Sequence, residues 1–174
     1  MSNDKNDKKQ IQAERRRHLR GNNVISNNML WALGTGLIPI PVVDTSATIA
    51  IQLKMLAELS DVYEVPFSYN SGKSVVASLL TSLTANLMGK SLVGSGLFYG
   101  VARMVPVLGY GLKALTMPVF TTAFTYALGK VFQQHFAAGG TILTFDPKKT
   151  DSYFREKFDE GKKVVAEKYN PKAA

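Results

Sequence analysis

The sequence predicts an all-α protein in which apolar helical hairpins with small-residue packing stripes follow a basic N-terminal arm and precede an amphipathic C-terminal helix. Three observations carry this reading. Apolar residues recur three and four apart over several long segments, which is the period of a helix face and not of a strand. Clusters of Gly and Pro punctuate the chain between those segments. Between Glu64 and Asp146 there is no acidic residue, while Lys73, Lys90, Arg103, Lys113 and Lys130 are spaced singly through apolar sequence. A chain of 174 residues with 45% hydrophobic content suits one domain with a real core and tails. The expected division is a basic arm at 1–21, an apolar helical domain at 22–145 and a charged helix or tail at 146–174.

The arm carries seven bases against three acids, a net charge of +4, and is expected to be frayed at first and helical near Ile11 to Arg20. A second segment, Asn22 to Leu37, places Ile25, Met29, Trp31, Ala32 and Leu33 before the break Ile38-Pro39-Ile40-Pro41, where alternating prolines favour extended backbone. Asp44 stands where an N-cap belongs. From Thr45 to Tyr63 two apolar rows follow, Ile51, Met55, Leu59, Val62 and Ile49, Leu53, Leu56, with Lys54, Glu58 and Asp61 as the solvated face. After a turn signal at 66–72, Lys73 to Lys90 puts Val76, Leu79, Leu80, Leu83 and Leu87 on one side and Ser74, Ser78, Ser82, Ala85 and Gly89 on another. The final apolar helix, Met117 to Phe136, repeats this two-sided design with Phe120, Phe124, Leu128 and Val131 against Thr121, Thr125 and Gly129. Gly139-Gly140 ends it. Thr141 to Phe145 is expected to be extended, and Asp151 to cap a helix that aligns Phe154, Phe158, Val165 and Tyr169.

Stripes of small residues let helix backbones approach closely, in lipid and in soluble helix pairs alike. Isolated Lys and Arg can extend apolar stems and set their charges at the level of anionic headgroups, so the sign bias favours a membrane interface. Arg15, Arg16, Arg17, Lys73, Lys90, Arg103, Lys113 and Lys130 are the candidate lipid contacts. The uncharged runs Ser74 to Gly89 and Ala114 to Gly129 are 16 residues each, short of the 18 or more that signal a span. Shallow or re-entrant hairpins are therefore expected, with one span between Lys113 and Lys130 open where the bilayer thins. The hydrophilic start carries no apolar core of a secretory signal, so both termini are expected to be cytoplasmic.

No catalytic, cofactor-binding or metal-binding residue emerges. With no cysteine, thiolate and sulfur-ligand chemistry is excluded. Gly72-Lys73-Ser74 resembles the end of a phosphate-binding loop, but Phe67 occupies the position of the required glycine. Gly94, Gly96 and Gly100 miss the dinucleotide spacing by one position. His18 lies among arginines and His135 near a helix end, neither with a visible metal partner. Nucleic acid is disfavoured, because no aromatic residue is interleaved with Arg15, Arg16, Arg17 and Arg20.

The run from Asn22 to Tyr63, with its Gly-x-Gly-Leu-Ile-Pro-Ile-Pro-x-x-Asp core and Ile51-Gln52-Leu53-Lys54-Met55-Leu56, resembles the YcjF-type domain of unknown function. Val65-Pro66-Phe67, Gly72-Lys73-Ser74 and Val105-Pro106 with Gly109 agree with that pattern, over about residues 22 to 145. Glu64 departs from it, standing where a glycine is expected. The resemblance implies a helical, membrane-associated bacterial domain, in some relatives fused to an Era-like GTPase, which here would act in trans. Pro39, Pro41, Asp44, Gln52, Met55, Tyr63, Pro106 and Gly109 are the candidates for partner docking or a structural motif. The expected function is a non-enzymatic, membrane-associated scaffold or adaptor at the bacterial inner membrane. Two alternatives stay open: a cytoplasmic homo-oligomer packed through its apolar helices, and a regulatory partner of the GTPase.

Overall fold

The computed structural model describes residues 2–35, 41–92 and 117–169, with side chains at 6–34, 49–86 and 118–168. Five α-helices make up the described structure: α1 Ser2–Thr35, α2 Pro41–Tyr63, α3 Tyr69–Leu92, α4 Met117–Ala137 and α5 Pro147–Tyr169, with a 3-10 turn at Ile142–Thr144. The all-α class stands, with no strand among the described residues.

Helix α4 is the centre. Residues 121–129 and 131–133 are all buried, because α1, α2 and α5 each pack on a different side of it. Its two rows divide as their shapes dictate. Phe124 meets Phe154 edge to face at 5.4 Å and Phe120 meets Phe158 at the same distance, which sets α5 antiparallel to α4 with aromatic pairs at favourable angles. The small row faces the other way: a Cβ on Gly129 would lie 2.6 Å from Cγ1 of Ile25, so α1 approaches α4 only because a glycine stands there. Helix α3 lies outside this group, on α2 and α5, with Val76, Leu79 and Leu83 turned inward. Its serine stripe is largely on the outside, where Ser74, Ser78 and Ala85 are exposed.

Several boundaries differ from the sequence expectation. Helix α1 runs unbroken for 34 residues through the expected divide at 21/22. Gly21-Asn22-Asn23 reads as a breaker on propensity alone, but Gly21 is buried against Gln133 and Tyr63 and Asn22 accepts a hydrogen bond from Lys130. Tertiary contacts outweigh the propensity. Helix α2 opens at Pro41, which suits the first turn of a helix, so Asp44 lies inside that turn rather than at its N-cap. Helix α3 begins at Tyr69, with Gly72 already buried against Leu53 and Phe67. Within the stretch expected to be extended, Ile142–Thr144 forms a 3-10 turn, while Thr141 and Phe145 on either side keep extended backbone. The cap of α5 is Asp146, whose Oδ1 accepts from the amides of Lys148 and Lys149 at 3.0 and 3.3 Å, with Pro147 at the first helical position. Asp151 instead accepts from Ser82 on α3 and from Arg155.

Two helices end alike. At α4, the amides of Gly139 and Gly140 bond the carbonyls of Phe136 and His135, with Gly139 at φ 82°. At α2, the amides of Glu64 and Val65 bond the carbonyls of Asp61 and Ser60, with Glu64 at φ 59°. Both are Schellman closures, but the second places a side chain in the left-handed region, at a cost of about 1–2 kcal/mol.

Two stability predictions follow from these contacts. Glu64→Gly relieves the backbone and loses only an exposed ion pair with Arg17, a type worth about 0–1 kcal/mol. It should raise the urea midpoint by the equivalent of about 0.5–1 kcal/mol after the added chain entropy of glycine is counted; a lower midpoint would show that the ion pair dominates. Gly161→Ala improves helix propensity by about 1 kcal/mol yet sets a Cβ 2.9 Å from the carbonyl oxygen of Ala123. Backbone cannot yield cheaply, so a net loss of about 1–2 kcal/mol is expected, and a stabilised variant in thermal denaturation would refute the close α4–α5 approach.

Candidate functional site

The described structure offers two features beyond packing: a polar seam joining α1, α2 and α4, and the outward face of α1. The seam lies inside. Gln52, fully buried on α2, donates from Nε2 to Oγ1 of Thr125 at 2.8 Å, and Thr125 donates to the carbonyl of Thr121. Thr121 in turn donates to the carbonyl of Ala32 on α1. One turn further out, Asn28 donates to Glu58 at 2.7 Å, and Lys54 holds the same carboxylate at 2.6 Å. At the arm end, Gln133 donates to the carbonyl of His18 and Lys130 to Asn22. These bonds fix α1 antiparallel to α2 and α4, and the buried ones, such as Gln52 to Thr125, join groups that burial would otherwise leave without water.

The outward face begins where the seam stops. Residues 6–20 of α1 are all exposed, and Arg17 among them pairs with Glu64, just past the end of α2, at 3.3 Å. The described turns before Arg17 carry exposed side chains on every side, about 16 Å of helix at 1.5 Å per residue. Lys9, Arg16, Arg20, Asn23, Asn27, Leu30 and Gly34 succeed one another by seven, four, three, four, three and four positions, so they share one face, and all seven are exposed. Trp31 adjoins that face and is 65% exposed. Beside it Val24, Asn27, Leu30, Lys54 and Glu58 line an open hollow of ≈ 450 Å³ between α1 and α2.

The residues singled out in the sequence fall into separate places. Arg15, Arg16 and Lys73 are exposed. Lys130 is not an outward lipid contact: it lies half-buried, donating to Asn22 at 2.8 Å and resting 5.6 Å from the centre of the Tyr126 ring. Burial pushes its ammonium below the usual lysine range, against the pull of Glu160. Burial and the Glu160 carboxylate both raise the Tyr126 phenol, which donates to that carboxylate. Gln52 and Met55 are fully buried and serve structure rather than docking. Tyr63 is half-buried beside Gly21, and burial raises its phenol. The side chains of Pro41, Asp44 and Lys90, and all of Pro39, Arg103, Pro106, Gly109 and Lys113, lie outside the described residues. Of the stretch 73–137 expected to form hairpins, the described parts place α3 on α2 and α5, and its middle lies outside the described residues. No described helix is long and apolar enough to cross a membrane.

Sequence reasoning missed the seam, although its signal was present. Gln52 sits three residues before Met55 and Asn28 three after Ile25, each a polar residue within an apolar row. A long amide in such a row needs a partner on the facing helix.

Fold and surface together define an all-helical protein with a projecting basic helix. The chain belongs to the family described as domain of unknown function DUF697, whose model matches residues 2–159 and so takes in the arm. It is similar to "Magnetosome membrane protein 22" of Magnetospirillum gryphiswaldense, at 33% identity over 150 residues that cover 86% of this chain and 74% of that protein. No solved structure matches it.

The seam makes an ordered prediction. Thr125→Val leaves buried Nε2 of Gln52 without an acceptor and should cost about 1–3 kcal/mol. Gln52→Leu leaves the bond of Thr125 to Thr121 intact and should cost less. The double variant should recover part of the Thr125→Val loss in a denaturant-based double-mutant cycle; strict additivity would mean that the two side chains are not coupled.

Proposed function

We propose that this protein is a non-enzymatic, membrane-associated helical scaffold, held at an anionic lipid surface by the basic helix α1. The observation that carries the reading is the run of exposed residues 6–20 at the start of that helix, Arg15 and Arg16 among them, on an arm of net charge +4. An exposed basic helix gains about 1 kcal/mol per Lys or Arg near a membrane of anionic lipid. Similarity to a protein named for the magnetosome membrane supports the same direction. The buried polar side chains support a structural role, since Gln52, Asn28 and Gln133 are engaged in joining helices.

Within this proposal the finer placement is the YcjF-type group of the family, at the cytoplasmic face of a bacterial inner membrane, with an Era-like GTPase as the partner in trans. That placement rests on the motif around Pro39, Pro41 and Asp44. Attachment is peripheral in this reading: the most apolar of the described helices, α4, is covered by protein rather than lipid.

The test is co-sedimentation of the full chain with vesicles of phosphatidylglycerol and phosphatidylcholine. Binding should weaken steeply with salt, and Arg15→Ala with Arg16→Ala should weaken it by about 30-fold, the equivalent of about 2 kcal/mol. Absence of binding to acidic vesicles at low salt would sink the proposal. A large assembly in that soluble fraction would then favour the homo-oligomer.

A further inference from the structure

The exposed face of α1 is not uniform along its length, and its two halves suit one planar surface. The half nearer the N-terminus presents Lys9, Arg16 and Arg20, while Asp7 and Glu14 fall on other sides of the helix at about 100° per residue. The half inside the bundle presents Asn23, Asn27 and Leu30 with Trp31 beside them. Leu30 and Trp31 are 54% and 65% exposed, large apolar side chains on a helix whose opposite side already holds Ile25, Met29 and Ala32 in the core.

We infer that α1 lies lengthwise on an anionic bilayer along this face, with the bases at headgroup level and Trp31 as the interfacial anchor, so that α2 and α4 are held above it. The inference rests on the membrane reading proposed above and adds to it an orientation and an anchor. Three considerations favour lipid over other occupants. The helix that carries the face is unbroken over 34 residues, about 50 Å, a length that an extended surface can follow. Its charge is of one sign, complementary to anionic headgroups and opposed to a second copy, whose Lys9, Arg16 and Arg20 would repel these in a parallel pairing. A single aromatic with an apolar body and a polar N–H suits the boundary between headgroup and acyl chain.

The chain has one tryptophan, so its emission reports on this place alone. The full chain is titrated with vesicles of phosphatidylglycerol and phosphatidylcholine, with sedimentation and Trp31 fluorescence read on the same samples. The expected result is binding accompanied by a shift to shorter wavelength and by quenching from lipids brominated near the headgroup. Asn27→Glu should weaken binding about five-fold, while Ser152→Glu, exposed on α5, should leave it nearly unchanged. Binding with Trp31 emission as in water, or equal loss from the two substitutions, would overturn the orientation and leave membrane association standing. A shift that grows with protein concentration in the absence of vesicles would assign the face to a second copy and overturn it as well. Failure to sediment would remove the membrane reading itself.

Discussion

Helix α4 has no solvent face from 121 to 129, and the arrangement of the other helices follows from that constraint. A helix surrounded by protein must satisfy its neighbours with different surfaces, and α4 does so with one bulky row and one small row. The bulky row takes the phenylalanines of α5 at 5.4 Å. The small row admits α1 so closely that Ile25 occupies the space a side chain at Gly129 would need. The same row carries Thr121 and Thr125, whose hydroxyls donate to backbone carbonyls, while that of Thr125 also accepts from Gln52 of α2. Small-residue stripes are common where helices meet in lipid, but here the stripe on α4 is consumed within one chain.

A helix so enclosed leaves its partners with outer faces of their own, and α1 has the longest. Its inner face is fixed by the seam from Ala32 back to His18, beyond which residues 6–17 are exposed and Arg17 pairs with Glu64. Isolated helices of that length are marginal in water. Continuity with a docked segment removes the nucleation cost, because each added residue extends an existing hydrogen-bonded turn. The carboxyl ends of α2 and α4 lie where the basic residues of α1 pass, an arrangement that the helix dipoles favour.

Much of this was legible in the sequence, and the misses share a cause. The described members of the apolar rows of α2, α3, α4 and α5 are buried or partly buried, and the glycine pair that ends α4 is its C-cap. Glu64 was marked as standing in a glycine's place, and its φ of 59° is what that place requires. The errors fall where tertiary contacts decide: Gly21 and Gly72 read as punctuation because a lone sequence cannot show that Gln133 and Leu53 pack on them. Asp44 and Asp151 read as caps because Asp is a good cap, but Pro41 and Asp146 start those helices earlier. The candidate surface was half visible, since the charge of the arm is plain from composition, whereas its union with Leu30 and Trp31 on one face depends on α1 running through Gly21.

The missing acids between Glu64 and Asp146 take on a different meaning once α5 is in place. Read along the chain, the lone bases of that stretch have nothing to balance them, and a negatively charged membrane is the natural complement. Read in space, part of the complement is supplied by α5. Glu160 draws the half-buried Lys130, is held by Lys157 at 2.6 Å and accepts from Tyr126, while Asp151 takes the hydroxyl of Ser82 at 2.5 Å. The acids have been sorted onto the last helix, which then packs on the helices that lack them. Such sorting makes α5 an electrostatic partner as well as an apolar one. It also removes Lys130 from the count of bases that any outside surface can use.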